Sequence, residues 1–122
     1  MRIQTTEFES LLEAMPDGMV GIDPAGVIRF VNRRMESMFG YDCGDLVGVP
    51  IDSLVPEPFR QVHGVHREGY NEAPLQRPMG TDLILSGQRR DGTQFPVDIA
   101  LSHSDTADGL LVIAAVRDMT DL

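Results

Sequence analysis

The chain has 122 residues, 42% of them hydrophobic, a formal net charge of −9 and one cysteine. That length carries a single core and a single domain. An acidic chain without a basic run lacks the clustered Lys and Arg that phosphate backbones and anionic bilayers attract, so no nucleic acid and no membrane is expected as a partner.

Cys43 alone leaves no internal disulfide and fits a reducing compartment. The longest apolar run, Leu110 to Val116, is far too short to span a bilayer. The N-terminus lacks the apolar core of a signal peptide, and a cytoplasmic location is expected.

In chain order, residues 5–14 read as a short amphipathic helix capped by Thr5 or Thr6. Phe8, Leu11, Leu12 and Met15 form its stripe, and Pro16-Asp17-Gly18 ends it. Residues 1–16 are therefore expected as a flanking helix and 17–122 as the domain. A first strand runs over 18–23. Asp23-Pro24-Ala25-Gly26 has the proline and glycine positions of a type I turn, and residues 27–31 return as a second strand. Asn32 suits an N-cap, Met35, Met38 and Phe39 give a short helix its buried stripe, and Gly40 ends it in the left-handed region. Residues 41–48 hold at most a turn or two of helix, and 49–56 are an apolar connection with two prolines. A longer helix starts at Pro58, with Phe59, Val62, His63, His66 and Tyr70 on one face. Residues 71–80 are a polar loop and 81–89 a third strand.

The stretch 87–102 reads as the turn and second arm of a hairpin. Asp91-Gly92 is a turn dipeptide, and Phe95, Val97, Ile99 and Leu101 alternate with polar residues at period two. Pro96 lacks an N–H, which predicts a bulge or an edge position. The charged turn residues Arg89, Arg90 and Asp91 are expected to be solvated. A last strand covers 110–116, and the ending at 117–122 suggests a module cut from a longer protein. The order implies an α+β fold: a five-stranded antiparallel sheet, short helices on one face, and an N-terminal amphipathic helix.

Ile22-Asp23-Pro24-Ala25-Gly26-Val27-Ile28, Val31-Asn32, Met38-Phe39-Gly40-Tyr41, Leu46-Val47-Gly48, Arg90-Asp91-Gly92-Thr93, Phe95-Pro96-Val97 and Arg117-Asp118-Met119-Thr120 together resemble a PAS domain over nearly the whole chain. The resemblance implies the PAS sheet, a pocket between its inner face and the helices, and signalling through the flanking segments. It also implies that Asp118-Met119-Thr120 is where the domain hands over to an output module. Pro56-Glu57-Pro58 before a His-bearing helix is similar to oxygen-sensing haem kinases of the FixL type. Arg77-Pro78-Met79-Gly80 looks more like actinobacterial regulators of alternative sigma factors, in which a PAS domain precedes phosphatase, kinase or anti-sigma modules.

The FixL-type resemblance implies His63 as a haem iron ligand. The positions where those kinases carry arginines on the distal side and near the propionates read Leu83 and Gly69 here. His63 and His66 share a face, but a third metal ligand is missing there, so no metal is expected. His103 is expected to be solvated. Cys43, in Asp42-Cys43-Gly44, does not match the Asn-Cys-Arg setting of flavin photoreceptor domains and is expected to be a small buried or loop residue. No nucleophile elbow, phosphate loop or paired carboxylates are present, so no enzyme activity is expected.

The residues expected to meet a ligand are Met35, Met38, Phe39, Val62, His63, His66, Tyr70, Leu83, Leu85, Ile99, Leu101 and Ile113, with Ala115 in the same lining. Methionine adapts to flexible chains, and each buried methylene of a ligand contributes about 0.8 kcal/mol. The sequence thus reads as a regulatory sensor module for a small apolar, fatty-acid-like ligand, dimerising through its N-terminal helix. Arg77, His63, His66 or Tyr70 can anchor a carboxylate. The alternatives are a haem sensor through His63, and a ligand-free interaction module in which these side chains only fill the core.

Overall fold

The computed structural model describes residues 5–72, 85–107 and 109–121. Helix α1 (Thr5–Ala14) is followed by β1 (Gly18–Ile22), β2 (Ile28–Val31) and α2 (Arg33–Phe39). Two 3-10 turns, Ile51–Leu54 and Glu57–Phe59, lead into α3 (Arg60–Glu72), then β3 (Leu85–Gln88), β4 (Gln94–Thr106) and β5 (Gly109–Asp118). The strands form one antiparallel sheet in the order β2-β1-β5-β4-β3. This is the α+β architecture expected from the sequence. No helix among the described residues is long and apolar enough to cross a membrane.

The turn between β1 and β2 is built by Asp23. Its carbonyl accepts the Gly26 N–H at 2.9 Å, its Oδ1 accepts the Val27 N–H at 3.0 Å, and Gly26 takes φ +86°. The register shifts between Gly21 and Ile22, so the β1–β2 ladder is irregular beside this turn. Partial burial opposes the Asp23 charge, but the Val27 N–H and the Arg29 guanidinium outweigh it and hold the carboxyl below its ordinary range.

At the end of β2, Asn32 caps α2 by accepting the Met35 N–H at 3.0 Å. It does more than cap, because the same Oδ1 accepts the Met19 N–H at 2.9 Å. Its Nδ2 donates to the carbonyls of Leu12 at 2.9 Å and Asp17 at 3.0 Å. One buried amide thus ties α1, β1 and α2 together.

Two expectations need correction. Pro96 is neither at a bulge nor on an edge strand, since β4 lies between β5 and β3 with continuous register. Its carbonyl points to the β5 side and accepts the Met119 N–H at 2.9 Å. The missing N–H therefore falls past Asp118, the last paired residue of β5, where no ladder bond is needed. Strand β4 also runs on to Thr106, beyond the end of its apolar alternation. There Ser104, Asp105 and Thr106 pair with Leu111, Leu110 and Gly109 as a two-stranded ribbon beyond the end of β1.

Val20, Ile22, Val97, Val112, Ala114 and Val116 point from the sheet into the core, where Met35, Phe39, Leu46, Ile51 and Leu54 meet them. All helices of the core layer therefore act on one face of the sheet.

Candidate functional site

Between the inner face of the sheet and the chain running from α2 to α3 lies a cavity of about 430 Å³. Small-molecule sites occupy roughly 300–1,000 Å³. Its sheet wall consists of Val20 and Ile22 from β1, Leu85, Ser86 and Gly87 from β3, Val97, Ile99 and Leu101 from β4, and Ala114 and Val116 from β5. The opposite wall is Met35 and Phe39 from α2, then Ile51, Leu54, Val55 and Phe59. The first 3-10 turn places Ile51 and Leu54 on one side, as its three-residue period requires. Phe59 lines the cavity yet remains 54% exposed, so it stands at the rim. Ser86 is the only described lining residue with a polar side chain.

Gly87 is needed where it lies. A Cβ there would come within 2.9 Å of the Phe39 ring and 3.1 Å of the Phe95 ring. Those two rings meet edge to face at 5.1 Å between centroids, a favoured aromatic geometry.

Of the residues expected at a ligand site, Met35, Phe39, Leu85, Ile99 and Leu101 line the cavity. Met38 and Tyr70 pack on the core cluster but do not line it. Ile113 was expected in the lining with Ala115, and both lie on the other face of β5. Val112, Ala114 and Val116 are the buried, inward residues, and Ala114 pairs with Leu101 while Val116 pairs with Ile99. Val62, His63 and His66 lie on α3, but their side chains are outside the described residues, as are Arg77 and Leu83. Cys43 is exposed and away from the cavity lining. His103 is exposed, with its ring edge-on to Tyr70 at 6.4 Å.

In the charged turn Arg90 and Asp91 are exposed as expected, but Arg89 departs from the expectation of a solvated residue. Arg89 lies over the Phe95 ring at 4.0 Å and donates to the Met38 carbonyl at 3.3 Å. Its guanidinium also pairs with Asp118 at 3.6 Å. Asp118 in turn accepts the Thr120 N–H at 2.9 Å and the Thr120 hydroxyl, which shapes the chain just past β5. Asp91 holds the hairpin by accepting the Thr93 N–H at 2.9 Å. Hydrogen bonds from the Thr93 N–H and hydroxyl keep the Asp91 carboxyl below its ordinary range.

Sequence reasoning missed Val20, Ile22, Val97, Ala114, Val116 and the connection residues Ile51, Leu54 and Val55 as lining. The strand alternation already contained the signal for Val97.

With this geometry in view, the chain belongs to the PAS family: the model of the PAS fold matches residues 6–119. It is 30% identical over 121 residues to the sensor protein FixL of Bradyrhizobium diazoefficiens, covering 99% of this chain and 24% of that protein. It is 28% identical over 111 residues to the oxygen sensor protein DosP of Escherichia coli, covering 91% of this chain and 14% of that protein. The PAS domain of an HTR-like protein from Haloarcula marismortui superposes with a TM-score of 0.76 at 23% identity, over 94% of this chain and 91% of that one. The chain thus spans a quarter or less of the curated relatives named here.

Proposed function

We propose that this chain is the sensory unit of a larger signalling protein. Its cavity takes a small apolar ligand, fatty-acid-like chains included, and occupancy biases an effector attached after β5. The observation that carries this reading is the cavity itself, about 430 Å³ with one polar side chain in its described lining. An apolar void of that size favours an apolar occupant by removing the occupant's surface from water. The effector is read as one of the phosphatase, kinase or anti-sigma modules implied by the resemblance at Arg77-Pro78-Met79-Gly80. No catalytic role is assigned to the chain.

Denaturing mass spectrometry of purified protein tests the reading. An apolar small molecule is expected to co-purify or to saturate the chain when added. A chain that carries none and cannot be loaded rules the reading out. The visible spectrum of the same preparation tests haem bound through His63, the second reading, which similarity to an oxygen sensor favours. Among the described residues, the α3 cations Arg60 and Arg67 are engaged by Val55 O at 2.9 Å and by Asp52 at 3.6 Å. Both arginines thus already have protein partners, which supports the first reading.

We also propose that α1 carries a homodimer contact. Leu11 on it and Met15 just past its end remain 51% and 44% exposed, two large apolar side chains left in water side by side. The variant carrying Leu11→Lys and Met15→Lys is expected to be monomeric by light scattering at concentrations where the unaltered chain is dimeric. Equal masses for both would remove α1 from the interface.

A further inference from the structure

The lining of the cavity grades from dry to wet in one direction on both of its walls. Across the sheet, Val20 on β1 and its partner Ala114 on β5 are buried, whereas Leu101, paired with Ala114 from β4, is half-buried. One row on, Val116 is buried and its β4 partner Ile99 is half-buried. Val97, which pairs with Leu85 of β3, is the one buried lining residue that β4 contributes. The opposite wall repeats the gradient along the chain. Met35 and Phe39 on α2 are buried, Val55 is half-buried, and Phe59 stands more than half exposed. The cavity is therefore closed between β1, β5 and α2, and it meets water over β4 on the side of Phe59.

A pocket with one closed end treats the two ends of an occupant differently. At the closed end, Val20, Ala114, Val116, Met35 and Phe39 reward an apolar group for leaving water. A polar group placed against these side chains would lose its hydration and gain no hydrogen bond from them. On the side of Phe59 the same group keeps its water. The polar side chain of the lining, Ser86, is exposed and lies between Leu85 and Gly87, whose partners Val97 and Phe95 are buried. Strand alternation thus turns its hydroxyl away from the closed end.

We infer that the ligand is a single-headed amphiphile bound tail first. Its apolar tail lies against β1, β5 and α2, and its polar head leaves the cavity beside Phe59, still in water. The inference rests on the cavity being a ligand site. It adds an orientation, a mouth and a residue that flanks the head.

Affinity labelling of the whole chain tests the orientation. Phe59→Cys puts a thiol at the mouth and Ala114→Cys puts one at the closed end, each combined with Cys43→Ser so that a single cysteine is present. The probe is N-decyl iodoacetamide, whose reactive head lies opposite its tail; a thiolate displaces iodide from it and forms a thioether. Its rate, followed by mass spectrometry, is divided by the rate of iodoacetamide at the same cysteine, which cancels differences in exposure. Cys43 of the unaltered chain, exposed and away from the cavity, supplies the reference ratio. The ratio for Phe59→Cys is expected to exceed it by at least about tenfold, because a seated tail holds the head beside that thiol. The ratio for Ala114→Cys is expected not to rise, and excess decane is expected to abolish the rise at Phe59→Cys. A higher ratio at Ala114→Cys than at Phe59→Cys overturns the tail-first orientation and leaves the cavity reading standing. No rise at either cysteine overturns the inference, and displacement of 1-aminoanthracene by decane then separates the two readings. If decane displaces the dye, the cavity reading survives alone; if it does not, both fall.

Discussion

Asn32→Ala is expected to lower stability by about 3–5 kcal/mol, the sum of a lost helix cap and at least one orphaned backbone group. The residue is 2% exposed. Removing its amide leaves the Met19 and Met35 N–H groups and the Leu12 and Asp17 carbonyls without their partner. Domains of this size have total stabilities of about 5–15 kcal/mol, so the loss takes a large fraction of the whole. Urea unfolding measures it directly, as a lower midpoint at unchanged slope. Asn32→Asp separates the two halves of the role. It keeps the acceptor for Met19 and Met35 but loses the donors toward Leu12 and Asp17, and it should fall between the two. A change under about 1 kcal/mol in Asn32→Ala would show that water takes over these bonds.

Ala114→Leu is expected to abolish ligand retention while leaving the fold intact. Ala114 lies at the centre of the sheet wall, paired with Val20 and Leu101, and lines the cavity. Three added carbons occupy space that a ligand would otherwise fill. At about 0.8 kcal/mol per methylene the loss is about 2 kcal/mol, or roughly thirtyfold in affinity. Inserting carbons into a filled core costs about 1–3 kcal/mol, but here they enter a void. The melting temperature should therefore hold or rise. Mass spectrometry of the purified variant measures occupancy, and calorimetry measures the melt. Unchanged occupancy would place the ligand elsewhere. A large drop in melting temperature would mean that the void closes in solution, and Leu101→Phe repeats the test from the neighbouring strand.

The fold was readable wherever local chemistry is unambiguous. Asp23 to Gly26, Asn32, Gly40 and Asp91-Gly92 each mark an element boundary, and each takes the conformation its residue type favours. The site was readable only along β4, where apolar and polar residues alternate. In β5 the run Leu110 to Val116 is apolar on both faces, so nothing local says which set faces in. Only pairing with Ile99 and Leu101 decides it, and the reading slipped by one residue to Ile113. Ile51, Leu54 and Val55 escaped notice because two prolines made their segment look like a connection. Arg89 looked solvated because a charged residue in a turn gives no sign of the ring or the helix end beneath it.

The capping of α2 has a mechanical consequence. Its terminal carbonyls on Met38 and Phe39 are taken by Arg89 Nε at 3.3 Å and the Arg90 N–H at 2.9 Å. Sliding α2 against the hairpin would strand both carbonyls, so these two elements are stiff toward one another. Through Asp118 the same arginine also clamps the point where the chain leaves the sheet. On the opposite wall the Val55 carbonyl is held by Arg60 Nε at 2.9 Å and Asp52 by Arg67 at 3.6 Å, so that wall is tied to α3. The chain just past β5 is thus held, through one arginine, to the same hairpin that caps the end of α2.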